Sequence, residues 1–490
     1  MNMKKQFLVC LILFCSSAIF SQNKVEFTEY DLSNGIHVIL HEEHSTPIVA
    51  VSVLYHVGSK NENPERTGFA HFFEHLLFEG SENIGRGEYS DLVEKNGGTL
   101  NANTSQDRTF YFELLPSNQL ELAMWLESER LLHAKVDIKG VETQRSVVKE
   151  EKRQRIDNQP YASFFQNIFS RAFPQHPYQW QPIGSMDHLD AAQEEDYINF
   201  YKDFYVPSNA TLSIAGDIDI EKTKQWVNKY FASIPKGMAI NLYRDYINLD
   251  SSKFEQIYHV SKDLFTKNNF LNPKSKKAKK VLNTFLETPI EIKRTEKDNS
   301  PINGVIMETI EDNIQLPALF ISYKLPNQTH PDSYALDLLN QVLSGGNSSR
   351  INKTIVEKKE LAVFAFSFNY ALEDAGIGIM AAIAANGVSL DTIQLEFDKQ
   401  IQKVKDELIS QEEFEKIRNQ YENSFVSSNS TIAGICENLA NNHVYFGSAE
   451  KINTELEEYM KITREDIKRV ANKYYNQDAR IILHYVPKDK

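Results

Sequence analysis

Glu194 to Asp219 reads EEDYINFYKDFYVPSNATLSIAGDID. An acidic start opens a helix with aromatic residues near its end, and a short polar turn then leads into an alternating apolar strand. The same order returns at Thr463 to Lys488, TREDIKRVANKYYNQDARIILHYVPK. A helix-turn-strand unit that recurs in this way predicts a duplicated domain built from both helices and strands.

The chain has 490 residues, of which 41% are hydrophobic and 24% charged, enough to bury at least two domain cores. Its formal charge of -14 argues against a nucleic-acid surface. That charge fits a chamber attracting cationic peptides, and equally simple solubility. At the N-terminus Lys4 and Lys5 precede an apolar run from Phe7 to Phe20, followed by Ser21 and Gln22. This is the pattern of a cleaved signal peptide over residues 1–21. A retained anchor and a lipid-modified Cys15 are the other readings. The run is short for a spanning helix, and Phe14 is large for the residue before a lipidated cysteine. Cleavage leaves Cys436 as the sole cysteine, so no disulfide forms within the mature chain.

A second stretch carries chemistry. His71, Phe72, Phe73, Glu74 and His75 place two imidazoles at i and i+4 on a helix, with a carboxylate at the edge of that face. One ion can take a nitrogen from each histidine, and Glu74 can take a proton from water as general base. The glutamate precedes the second histidine, the inverted form of the His-Glu-x-x-His order. A third ligand is needed. Val147 to Ile156, VVKEEKRQRI, offers Glu150 and Glu151. His133, His176, His188 and His443 have no second ligand at metal spacing and read as polar core or surface residues.

With these residues the chain resembles the pitrilysin-like zinc peptidases, the family of insulinase and the mitochondrial processing peptidase, in its short two-domain bacterial form. The likeness runs through RTGFAHFFEHLLFEGS from Arg66, GGTLNANTSQDRTFYFELLP from Gly97, HPYQWQPIGSMDHL from His176 and NFYKDFYVPSNATLSIAGDID from Asn199. It implies an α+β fold of two similar domains, each a β-sheet covered on one face by helices, facing one another as a clam shell. We place the first domain at residues 24–243 and the second, without a metal motif, at 301–490. Between them 244–300 reads as a linker or insertion. Its lysine cluster PKSKKAKK, Pro273 to Lys280, reads as a solvated helix or mobile linker ahead of a site for acidic partners.

The resemblance also implies one zinc ion per chain held by His71, His75 and Glu151, with Glu74 as the base. Substrate would lie as an added strand along Asn101 and Ala102. The implied activity is a zinc endopeptidase for extended or unfolded peptides, exported to a bacterial periplasm, with no spanning helix in the mature chain. Two departures stand out. The family's arginine and tyrosine, which hold the substrate backbone from the opposite half, correspond here to Val356 and Val363. An assisting glutamate seven residues before the third ligand corresponds to Gln144. These departures raise the alternative of a non-catalytic binding or assembly subunit. They also imply a heterodimer in which a related partner supplies the missing pair. A homodimer that recruits Arg350 and Tyr370 is the other arrangement.

Overall fold

The computed structural model describes residues 24–488; the leader expected over 1–21 lies outside them. In the N-terminal half β1 (Thr28–Asp31), β2 (His37–Glu42), β3 (Ile48–Tyr55), β4 (Thr99–Thr104), β5 (Thr109–Pro116) and β6 (Ala210–Gly216) form one sheet in the order β1-β2-β6-β3-β5-β4. In the C-terminal half β7 (Val305–Asp312), β8 (Ala318–Leu325), β9 (Ala362–Ala371), β10 (Gly376–Ala384) and β11 (Arg480–Pro487) adopt the order β7-β11-β8-β10-β9.

The repeat explains the match between these orders. β6 lies parallel to β2 and antiparallel to β3; β11 lies parallel to β7 and antiparallel to β8. Each helix-turn-strand unit therefore delivers its strand to the same slot in its sheet. β4 and β9 become the corresponding free edges, and only β1 has no counterpart. The chain is α+β, two similar sheet-and-helix halves.

Seven of the helices position the site or join the halves: α1 (Phe69–Leu76), α2 (Leu120–His133), α3 (Ile138–Lys152), α4 (Phe164–Ala172), α5 (Glu194–Phe204), α6 (Ile432–Phe446) and α7 (Arg464–Tyr474). Helices of its own half cover one face of each sheet. Val51, Val53, Leu212 and Ile214 pack on Phe69, Phe73 and Leu126 in the N-terminal half, and Ile321, Met380 and Ile482 pack on Leu339, Phe397 and Ile467 in the C-terminal half.

The opposite faces are covered too, by an exchange of helices. α6, from the C-terminal half, lays Ile435, Cys436 and Leu439 on Ile39, Ala50 and Ala215. α4, from the N-terminal half, packs Ile168 and Phe169, with Phe173 just beyond its end, against Phe320, Ile379 and Leu483. Small back-face residues let α6 come close: Cys436 Sγ lies 3.2 Å from Ser52 Oγ and 3.1 Å from the Ser213 carbonyl. Each fully buried Ile, Leu or Phe contributes roughly 1.5–3 kcal/mol. Separating the halves would expose several at once, so they form one structural unit.

The seam also buries charge. Lys60 Nζ, with its side chain 1% exposed, lies 2.7 Å from Glu373, 3.0 Å from Asp107 and 3.0 Å from Asp374. The segment read as a linker contains helices Ala239–Asn248, Ser251–Tyr258 and Lys276–Glu287. They close around Phe254, Phe265, Phe270 and Leu282, and the first runs through the boundary expected at Tyr243. No helix among the described residues is long and apolar enough to cross a membrane.

Candidate metal centre

α1 divides its residues between two faces. Phe69, Phe72, Phe73 and Leu76 are buried; the Phe69 ring stacks 4.6 Å from Tyr197, and Phe73 lies 5.2 Å from Tyr205. With that side held in the core, His71, Glu74 and His75 share the other. The helix starts from Gly68 in a left-handed conformation, φ 98°. A Cβ on Gly184 would lie 2.3 Å from Gly68 N, so two glycines allow the 181–185 loop to meet the start of α1. Buried Glu62 caps this helix through both oxygens, accepting from Gly68 N–H at 2.9 Å and Ala70 N–H at 2.8 Å. Burial pushes Glu62 up to about 8.

α3 brings the third candidate. Asp137 caps its start by accepting from Gly140 N–H at 2.8 Å, and Val141 and Val148 bury the same stripe two turns apart. Glu151 stands at the end of the helix. Its Oε2 lies 3.2 Å from His75 Nε2 and 3.6 Å from His71 Nε2, while Oε1 accepts from Arg155 at 2.8 Å. The contact with His75 holds the Glu151 carboxyl below its usual range. Burial, helped by His75, pushes His71 down to about 4, so its imidazole is neutral at pH 7. Glu150 stays on the exposed side, with Arg153 and Gln154.

Glu74 stands apart in its contacts. Its Oε2 accepts from Thr104 Oγ1 on β4 at 2.6 Å, and burial raises its pKa. His71, Glu74 and His75 present ligand atoms within 4.8 Å of one another, so two carboxylates reach the histidine pair. Glu151 Oε2 is buried and, apart from the two imidazoles, meets no donor among the described residues. Two neutral-capable nitrogens and one uncommitted anionic oxygen are a donor set that fits zinc and leaves an open position. The Glu74 oxygen is already committed to Thr104.

Asn101 and Ala102 lie on β4, the free edge, paired on one side only with Phe112 and Tyr111 of β5. The Ala102 N–H donates to the Asn101 side chain at 2.8 Å, so it points away from β5. Beside His71, Glu151 and Thr104 opens a cleft of about 840 Å³ with Ile156, Phe165 and Ile183 in its walls. Gln144 donates to Glu79, whose other oxygen takes Arg86 at 2.7 Å.

The opposite half offers little at the departures. Val356 packs against the C-terminal core, and Val363 is exposed on β9. Arg350 is held in a two-pronged pair with Glu413, at 2.9 and 2.7 Å, and Tyr370 donates to Gln106 at 3.1 Å. His133 faces Glu82 at 3.3 Å, His176 faces Asp374 at 3.4 Å, and His188 lies 2.9 Å from Thr67 Oγ1. His443 stacks on His37. Glu62 belongs to no motif in the sequence; Thr104 and Arg155 lie inside the stretches from Gly97 and Val147 but had no role there, although the i, i+4 spacing from Glu151 to Arg155 is a usable signal.

Two family models match the chain. Residues 37–183 match the insulinase model of peptidase family M16, and 191–421 match the peptidase M16 inactive domain. The chain belongs to peptidase family M16. Among similar proteins, the zinc protease PqqE of Helicobacter pylori is 29% identical over 449 residues, covering 91% of this chain and 89% of its own. A crystal structure of a protease from the same organism superposes with a TM-score of 0.79 at 26% identity, covering 94% of this M16 chain and 100% of its own. The periplasmic protease PqqL of Escherichia coli has the same fold, with a TM-score of 0.69 at 16% identity. There the match takes in 94% of this chain but 48% of PqqL.

Proposed function

We propose that this M16 chain is an exported zinc metalloendopeptidase for extended or unfolded peptides, with one catalytic zinc held by His71, His75 and Glu151. The observation that carries the reading is Glu151 Oε2, buried, facing two imidazoles and meeting no other donor among the described residues. A bound zinc supplies Lewis acidity toward the scissile carbonyl and makes water more acidic.

The protein's own groups do the rest. Glu74, raised by burial and anchored to Thr104 through Oε2, has its other oxygen free to take a proton from the attacking water and pass it to the leaving amine. Arg155 fixes one oxygen of Glu151 and thereby the direction of the other. A substrate strand adds to β4, with its carbonyl replacing the Asn101 side chain as partner of the Ala102 N–H. The cleft beside His71 takes the side chains beyond that strand.

The partner reading rests on the opposite half. Val356 and Val363 cannot donate to a developing oxyanion, and Arg350 and Tyr370 are engaged elsewhere. A related subunit that supplies an arginine and a tyrosine completes the site in a heterodimer. A homodimer would have to break the Arg350–Glu413 pair. The same two valines favour the second reading, a non-catalytic assembly subunit. The periplasm fits the signal-like segment at 1–21.

A mixed peptide library incubated with the pure chain, alone and with its related subunit, tests the proposal. Endoproteolytic cleavage blocked by chelation is expected. No cleavage by either preparation, with zinc bound at His71 and His75, would select the assembly reading.

A further inference from the structure

A second group of ligand-type side chains, distinct from the catalytic candidates, lies at the β1 edge of the N-terminal sheet. β1 pairs with β2 so that Asp31 stands opposite His37, and Glu29, two residues back along β1, shares its face. His37 Nδ1 lies 2.8 Å from Asp31 Oδ1, and Nε2 lies 3.3 Å from Glu29 Oε2. His443 arrives on α6 from the other half and stacks on His37, with centroids 3.4 Å apart and planes 6° from parallel. One ligand atom from each of Glu29, His37 and His443 lies within 4.8 Å of the others.

We propose that Glu29, His37 and His443 form a second metal site, which binds a zinc-type divalent ion at the seam between the sheet edge and α6, with Asp31 as a positioning residue. Two imidazole nitrogens and one carboxylate oxygen suit zinc, cobalt or nickel; calcium and magnesium call for all-oxygen shells. Asp31 accepts the Nδ1 proton of His37, which fixes the tautomer and leaves the Nε2 lone pair on the side of Glu29. The broad terminal torsion of histidine lets either ring turn onto a common ion. Glu29 is 39% exposed at its side chain, which gives solvent ions a path in. The bound ion would tie the exchanged helix α6 to the strand pair it crosses.

The test is a zinc count by equilibrium dialysis on the full chain near neutral pH. A His71→Ala, His75→Ala chain lacks the catalytic pair and should retain one equivalent. Adding Glu29→Gln or His443→Gln should abolish it, along with the visible absorption of bound cobalt, while circular dichroism stays unchanged. No equivalent in the double variant, or one that survives both glutamine substitutions, overturns the assignment. If His443→Gln does not fold, the exposed Glu29→Gln decides alone.

Discussion

Glu62→Ala removes the acceptor of two buried backbone donors, Gly68 N–H and Ala70 N–H, at the start of the helix that carries His71 and His75. A buried N–H without a partner costs about 1–3 kcal/mol, so the pair costs roughly 2–6 kcal/mol. The loss falls on α1 and should appear as local opening before global unfolding. The wild type has its own pH signature. Its folded pKa is about 8 against an ordinary value of 4.5. Between those values the folded chain keeps a proton that the unfolded chain has released, so the stability of α1 falls as pH rises and levels off above about 8. Hydrogen exchange of the Phe69–Leu76 amides, corrected for intrinsic rates, reads both effects. Glu62→Ala should lower protection by roughly 30-fold to 10⁴-fold, at about 1.4 kcal/mol per tenfold, and remove its fall with pH. Unchanged protection in the variant, or wild-type protection that rises with pH through this window, would refute the capping argument.

Three further outcomes are expected from the geometry. Ala102→Pro deletes the outward N–H of β4 and should weaken peptide binding while zinc content stays at the wild-type level; unaltered peptide affinity in a folded, zinc-loaded variant counts against strand addition. Lys60→Met leaves Asp107, Glu373 and Asp374 without their shared cation. A destabilisation of about 3–5 kcal/mol is expected, read as a lower calorimetric midpoint, and an unmoved midpoint contradicts it. Adding the related subunit should raise peptide turnover by the equivalent of a few kcal/mol of barrier. Full activity of the chain alone, abolished by Arg350→Ala or Tyr370→Phe, would favour the homodimer.

Much of the fold was legible because its signals are local. The repeated helix-turn-strand unit foretells two sheets with one strand order, and the i, i+4 histidines foretell one face of α1. The exchanged helices were not legible, because their partners are remote in the chain. α6 leaves only Ala50, Ser52, Ser213 and Ala215 as a trace on the strands it covers. The lysine-rich segment, read as a solvated helix or mobile linker, is a helix with its lysines in water, and what the sequence hid is the apolar side, Ala278 and Leu282, that packs. Glu62 is an acidic residue in a loop until the fold buries it under a helix start. His443 had no ligand at linear spacing because His37 and Glu29 reach it only through tertiary structure. Asn101 matters in the sequence for its backbone, and its side chain proves to hold the Ala102 donor.

The central claim is that this chain binds a catalytic zinc through His71, His75 and Glu151 and uses Glu74 as its base. Zinc content and peptide turnover measured on the same preparations of wild type, Glu74→Gln and the His71→Ala, His75→Ala double variant test it most directly. The account predicts that Glu74→Gln keeps the full wild-type zinc count and loses roughly 10² or more in rate, while the double variant loses one zinc equivalent and all turnover. Wild-type turnover in Glu74→Gln, or an undiminished zinc count in the double variant, would contradict it.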